Sequence, residues 1–265
     1  MAVFSMLFGA GVLLVVDNLD RLDAQSWKLL VEVRDRLVVN GVARLDLPNL
    51  ERIGFGVSRG DLQVGNAAGR VSAPRLVSVG RGAFSEPDDA FLTDHGVVIR
   101  ADEPTDIDLG ALTNPGSLLL DNVGRTPLLA AERLGDVTLV GDLPESLDLP
   151  VAYGDVIVRD TAGLRSLVMG MAEGQRSFQV SRTDGLQTIT LDATRFDAMT
   201  LTGNTSLARV DAPSLDELEL LVAEDNTSVL ELNLGANVCP DSVRWTRNAS
   251  PEPTFPGCGT PDGAN

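Results

Sequence analysis

Pairs of apolar residues separated by one position recur along most of the chain, and this recurrence constrains the fold more than any other feature. A first set reads Leu14/Val16, Leu37/Val39, Leu62/Val64, Val97/Ile99, Leu118/Leu120, Val137/Leu139, Val156/Val158, Phe178/Val180, Met199/Leu201 and Leu220/Val222. Successive first members lie 23, 25, 35, 21, 19, 19, 22, 21 and 21 residues apart. A second set follows: Leu22/Ala24, Leu45/Leu47, Val71/Ala73, Ile107/Leu109, Leu128/Ala130, Leu147/Leu149, Leu167/Met169, Ile189/Leu191, Val210/Ala212 and Leu232/Leu234. Alternation with period two marks strands. Its return after one short, nearly constant interval marks one solenoid coil per repeat.

A single coil cannot bury its own apolar side, so neighbouring coils must stack as parallel strands. Aromatic residues make up only 4% of the chain, so Leu, Val, Ile and Ala build the core, which suits stacked rungs. The spacing therefore predicts an all-β chain, a right-handed parallel β-helix (β-solenoid) of about ten leucine-rich rungs. Residues 1–238 form the solenoid, with residues 1–11 as an N-terminal cap; residues 239–265 form a C-terminal cap with a Cys pair and a flexible tail. The array is expected to stop after Leu234. Asn18, Asn122, Asn204 and Asn226 fall in the first turn of their rungs, where an amide can cap exposed backbone groups.

One complete coil is written in Asn40-Gly-Val-Ala-Arg-Leu45-Asp-Leu47-Pro48-Asn-Leu50-Glu-Arg-Ile53-Gly54. Asn204 to Leu218 repeats it, and Val71 to Gly80 gives its second half. These stretches resemble the repeat of receptor L-domains, the leucine-rich β-helices of insulin and epidermal-growth-factor receptor ectodomains, with related repeats in fungal and bacterial surface proteins. The resemblance implies the fold and a recognition role at a cell surface. It implies no ligand-contacting residue.

Net charge is −17, with a pI near 4.3. Phosphate binding needs clustered Lys and Arg, so nucleic acid and anionic membrane surfaces are not expected partners. A membrane association would run only through an anchor outside this chain. Met1–Val16 is almost uninterrupted apolar sequence, but the first basic residue is Arg21 and no small-residue cleavage site follows. Leu14 and Val16 fit the first strand, so this stretch is read as cap plus first rung, with a signal or anchor segment as the alternative. The expected location is extracellular or cell-surface, with the periplasm as a variant.

Cys239 and Cys258 are the only cysteines and bracket a Pro-rich segment, so they are expected to close a C-terminal cap as a disulfide, with two free thiols as the alternative. Asn204-Thr-Ser, Asn226-Thr-Ser and Asn248-Ala-Ser match the glycosylation pattern, but two of these Asn are also rung-turn residues, which favours a structural role. Catalytic motifs are sparse. His95 is the only histidine and has no nucleophile motif beside it. No cofactor or metal is expected, and a β-helix polysaccharide-active enzyme is the less favoured alternative.

Three surfaces are candidates for recognition. The middle residue of each first strand reads Val15, Val38, Gln63, Val98, Leu119, Thr138, Ile157, Gln179, Thr200, Leu221, an outward column with an apolar majority. Val38, Val98, Leu119 and Ile157 are its candidate binding residues. The 35-residue step carries an insertion, Gly82–His95, whose Phe84, Phe91, Asp88 and Asp89 form a second candidate. The outward column of the second strands reads Asp23, Asp46, Ser72, Asp108, Leu129, Asp148, Val168, Thr190, Asp211, Asn233, and is expected to bind divalent cations weakly at most. The function expected from these surfaces is non-enzymatic recognition or adhesion, on a protein or glycan ligand, with a homodimer as a further partner. The alternative is a self-assembling structural β-solenoid.

Overall fold

The computed structural model describes residues 13–17, 32–33, 36–41, 44–53, 61–67, 69–79, 96–113, 115–124, 128–131, 133–172, 176–255 and 258. The chain is an all-β parallel β-solenoid, in two units, Met1–Pro144 and Glu145–Asn265.

The first unit contains β1 (Leu13–Asp17), β2 (Glu32–Val33), β3 (Arg36–Asn40), β4 (Arg44–Asp46), β5 (Arg52–Ile53), β6 (Asp61–Ala67), β7 (Arg70–Ser72), β8 (Ser78–Val79), β9 (Gly96–Leu109), β10 (Ser117–Val123), β11 (Leu128–Leu129), β12 (Arg133–Leu134) and β13 (Val137–Gly141). Each coil has three sides. On the first, β1, β3, β6, β9, β10 and β13 pair in parallel in that order. On the second, β4, β7, the end of β9 and β11 pair. On the third, β2, β5 and β8 pair. Parallel pairing in register stacks like positions. The columns Leu37–Leu62–Val97–Leu118–Val137 and Val39–Val64–Ile99–Leu120–Leu139 are at most 1% exposed. Burying each such side chain contributes about 1.5–3 kcal/mol.

Corners between the second and third sides are hydrogen-bonded turns. Leu50 N–H donates to Leu47 O, Leu76 to Ala73, Leu112 to Leu109 and, in the second unit, Leu215 to Ala212. Pro48, Pro74 and Pro213 hold the second turn position, where a fixed φ is pre-set for the bend. The Leu that ends each of these turns is fully buried. Glycine is required where rungs touch: a Cβ on Gly96 would lie 2.0 Å from Ser117 O.

The second unit contains β14 (Ser146–Ala152), β15 (Val156–Thr161), β16 (Ser166–Met171), β17 (Ser177–Ser181), β18 (Thr188–Asp192), β19 (Arg195–Thr202), β20 (Arg209–Ala212), β21 (Glu217–Glu224), β22 (Glu231–Leu234) and β23 (Ser242–Thr246). Its first side stacks β15, β17, β19, β21 and β23; its second stacks β14, β16, β18, β20 and β22. Val156, Phe178, Met199 and Leu221 form one buried column, and Leu147, Leu167, Ile189 and Val210 another. The rings of Phe178 and Phe196 lie 6.1 Å apart, and both are fully buried.

Three expectations need correction. In β21 the inward residues are Leu221 and Ala223, in register with Met199 and Leu201, so Leu220 and Val222 face outward. The run Leu220-Leu221-Val222 lacks alternation, so its pattern fits either phase; the backbone pairing selects one. A similar slip occurs in β11, where Leu129 is in register with the inward Leu109, while Ala130 is exposed and Ala131 buried. Finally, the array does not stop at Leu234: β23 adds another first-side strand, with Val243 and Trp245 in register with Leu221 and Ala223.

Candidate functional site

On the first unit's first side, register places Val15, Val38, Gln63, Val98, Leu119 and Thr138 in one column. Val38, Val98 and Leu119 therefore share one sheet face, and each is partly exposed while both flanking residues in its strand are buried. At about 4.8 Å per strand the column runs for about 24 Å. The adjoining outward column, Asn40, Gly65, Arg100, Asp121 and Val140, is polar or small except at its last member, so the apolar stripe is narrow over β3 to β10. In the second unit the equivalent column reads Ile157, Gln179, Thr200, Val222 and Arg244. Ile157 is partly exposed as expected, and Val222 stands where Leu221 had been expected.

The corner after the first side carries two polar ladders. One residue per coil adopts positive φ: in the second unit Asp160, Arg182, Gly203, Asp225 and Arg247. Left-handed backbone costs a residue with a Cβ about 1–2 kcal/mol, and Arg gains nothing locally to offset it. Each of these Arg side chains reaches an Asp of the same column one coil away. Arg182 donates to both carboxylate oxygens of Asp160, at 2.6 and 2.9 Å, and Arg247 does the same to Asp225. These guanidinium hydrogen bonds hold the Asp160 and Asp225 carboxyls below the usual carboxylate range.

The next position forms the inner ladder Thr183, Asn204, Asn226, Asn248. Asn204 Nδ2 donates to Val180 O and to Asn226 Oδ1; Asn226 Nδ2 donates to Leu201 O and to Asn248 Oδ1; Asn248 Nδ2 donates to Ala223 O. Asn204 and Asn226 are 0% exposed, so both amides are committed inside the folded chain and closed to a glycan. Asn248, the last member, is half-buried. Sequence reasoning placed Asn204 and Asn226 in the turns but missed that all three Asn stand 22 residues apart, as a ladder requires.

Asp46, Asp108 and Asp211 of the acidic second-side column each pair with an arginine of the same sheet. Arg44 and Arg70 lie two positions before Asp46 and Ser72; Arg44 pairs with Asp46, and Arg70 with Asp108 at 3.2 Å, which also accepts from Ser72 Oγ. In the second unit Arg209 holds Asp211 at 2.7 Å, and Asn233 Nδ2 donates to it at 3.0 Å; both hold its carboxyl low. Among the described residues, no group of three or more His, Cys, Asp or Glu gathers to hold a metal ion.

Phe84, Asp88, Asp89, Phe91 and His95 lie outside the described residues, as does Asp23. Cys239 and Cys258 are joined as a disulfide, a bond that persists in an oxidising compartment. Among the described residues, no helix is long and apolar enough to cross a membrane. No family model, no curated protein and no solved structure matches the chain.

Proposed function

We propose that this chain is a non-enzymatic recognition or adhesion module, secreted or displayed at a cell surface, which binds a protein or glycan through the outward first-side face. The observation that carries this is the column Val38–Gln63–Val98–Leu119–Thr138: apolar residues partly exposed along a rigid parallel sheet, interleaved with amide and hydroxyl groups. Contiguous exposed apolar surface favours contact with a partner, the column lines up such residues on one face, and its Gln and Thr offer hydrogen-bonding groups beside them. The receptor L-domain resemblance of the Asn40–Gly54 coil points to the same role, and the Cys239–Cys258 bond fits an extracellular setting. A net charge of −17 disfavours nucleic acid and anionic membrane as ligands.

The test is a variant carrying Val38→Lys, Val98→Lys and Leu119→Lys, with Ile157→Lys made separately. Both would be compared with the parent chain on an array of purified glycans and extracellular protein domains. Loss of a parental signal in the triple variant, with its circular dichroism and unfolding midpoint retained, supports the face. A signal unchanged by all four substitutions removes it.

A further inference from the structure

The strand β23 ends the first-side stack. β21 pairs with one of its edges and, among the described residues, no strand pairs with the other. Asp225 N–H donates to Thr246 O at 3.1 Å, so the Thr246 carbonyl faces β21. Backbone groups alternate between the two edges of a strand. Those of Ser242 and Arg244 therefore also face β21, and the N–H and C=O of Val243 and Trp245 face the outer edge. The same two residues point into the coil, in register with Leu221 and Ala223. Both are half-buried, whereas Met199, Leu201, Leu221 and Ala223 in the coils beneath are fully buried. An unpaired edge backed by incompletely covered apolar residues is a template for a further strand.

We propose that a second copy of this chain supplies that strand through its own β23, the two running antiparallel about a two-fold axis at Arg244. The sequence of β23 and its flanks is matched to itself in this register. Val243 meets the second copy's Trp245, and Trp245 meets its Val243. All four residues present their N–H and C=O to each other, and each apolar side chain gains a β-branched or aromatic neighbour on the inward face. Ser242 meets Thr246, both hydroxyl residues of the outward face. Just beyond the strand ends, the exposed Asp241 meets the exposed Arg247, so opposite charges face each other twice. The two Arg244 side chains approach at the axis, where each is paired with Glu224 of its own chain. A slip of two residues sets Asp241 against Trp245 or Arg247 against Val243, so the charge pattern selects this register. Because each copy offers the same edge, the contact is isologous and closes at two chains.

The experiment measures the mass of the full chain by multi-angle light scattering over a range of concentrations, and the parent chain is expected to reach twice its own mass. Val243→Pro removes an outer-edge N–H that β21 does not use, and is expected to return the mass to one chain with circular dichroism retained. Arg244→Cys places two thiols across a non-hydrogen-bonded pair, with Cα atoms about 4.5 Å apart, within disulfide reach. With oxidised glutathione it is expected to give a cross-linked dimer on a non-reducing gel. Ser242→Cys is expected to give none, since the two copies of that residue lie four positions apart, about 13 Å. The variant with lysine at Val38, Val98 and Leu119 is expected to keep the doubled mass, so failure of this edge and failure of the ligand-binding column are read separately.

A one-chain mass for the parent at every concentration overturns the proposal. So does a doubled mass that survives Val243→Pro, or an Arg244→Cys chain that does not cross-link. Should Val243→Pro lose its circular dichroism, the Arg244→Cys and Ser242→Cys gels decide.

Discussion

The side-chain amide of Asn204 donates to Oδ1 of Asn226 at 2.9 Å, and Asn226 makes the same bond to Asn248 one coil further on. Each amide also satisfies a strand carbonyl below it, so the ladder ties backbone and side chain together at the corner where the chain leaves the first sheet. Asn226→Ala would strand the Asn204 N–H and Nδ2, which both donate to Asn226 Oδ1, and the Leu201 carbonyl. Leaving buried polar groups unpaired is expected to cost about 2–5 kcal/mol in total. Urea unfolding would show this as a lower midpoint, while Thr227→Ala, one exposed residue away, should leave it nearly in place.

The ladder ends at Thr183, whose hydroxyl and N–H both meet Asn204 Oδ1, at 2.8 and 3.2 Å. One coil below, Thr161 Oγ1 is buried without a partner. Thr183→Asn should extend the amide ladder by one rung, because its Nδ2 could keep the bond to Asn204 and reach the carbonyl beneath. The expected gain is about 0.5–1.5 kcal/mol, read as a raised Tm. A lowered Tm would show that the corner has no room for the larger side chain.

Asp197 differs from the paired carboxylates of the corner. Burial and then the nearby Glu219 push its pKa above the ordinary value, and its Oδ1 is buried without a hydrogen bond. A carboxyl whose pKa is higher folded than unfolded penalises the folded state once ionised, so the penalty is full above the folded pKa and absent below the unfolded one. Asp197→Asn should therefore raise Tm at pH 7, and the gain should vanish as pH falls below about 4. Asp160, Asp211 and Asp225 have the opposite sign. Their pKa values are lowered by Arg182, Arg209 and Arg247, so their contribution is present above the unfolded pKa and fades as pH drops through the folded values. A Tm gain for Asp197→Asn that is constant from pH 7 to pH 3 would contradict this assignment.

Strand positions were legible wherever apolar and polar residues alternate. Leu45-Asp46-Leu47 and Ile189-Thr190-Leu191 have one phase only, and the structure buries the expected residues. Where the alternation lapses, as in Leu128-Leu129-Ala130-Ala131 and Leu220-Leu221-Val222, composition is equally consistent with two registers that face opposite ways. The discriminating signal was elsewhere in the chain. Asn204, Asn226 and Asn248 stand 22 residues apart, and the same step carries Met199 to Leu221 and Leu221 to Val243. That spacing fixes the phase of β21 and requires β23. The recognition face was legible as a column, because position in the strand sets which residues share a side. Its ligand was not, because an outward Val obeys β-propensity whether or not something binds it.

The register of β21 provides a direct mutational test, since adjacent leucines have opposite fates. Leu221 is 0% exposed, stacked between Met199 and Val243; Leu220 is 36% exposed, opposite Ala198 and Ser242. Leu221→Ala removes the middle of a packed column whose neighbours are held by sheet hydrogen bonds on both sides, so the space cannot collapse freely. The expected loss is about 2–5 kcal/mol. Leu220→Ala removes atoms that already meet water, and a surface substitution of this kind should stay within about 0.5 kcal/mol. Measured by urea unfolding under the same conditions, the two variants should differ several-fold in effect. If Leu220→Ala proved the more damaging, β21 would have to shift by one residue, carrying β23 and the Asn226–Asn248 bond out of register with it.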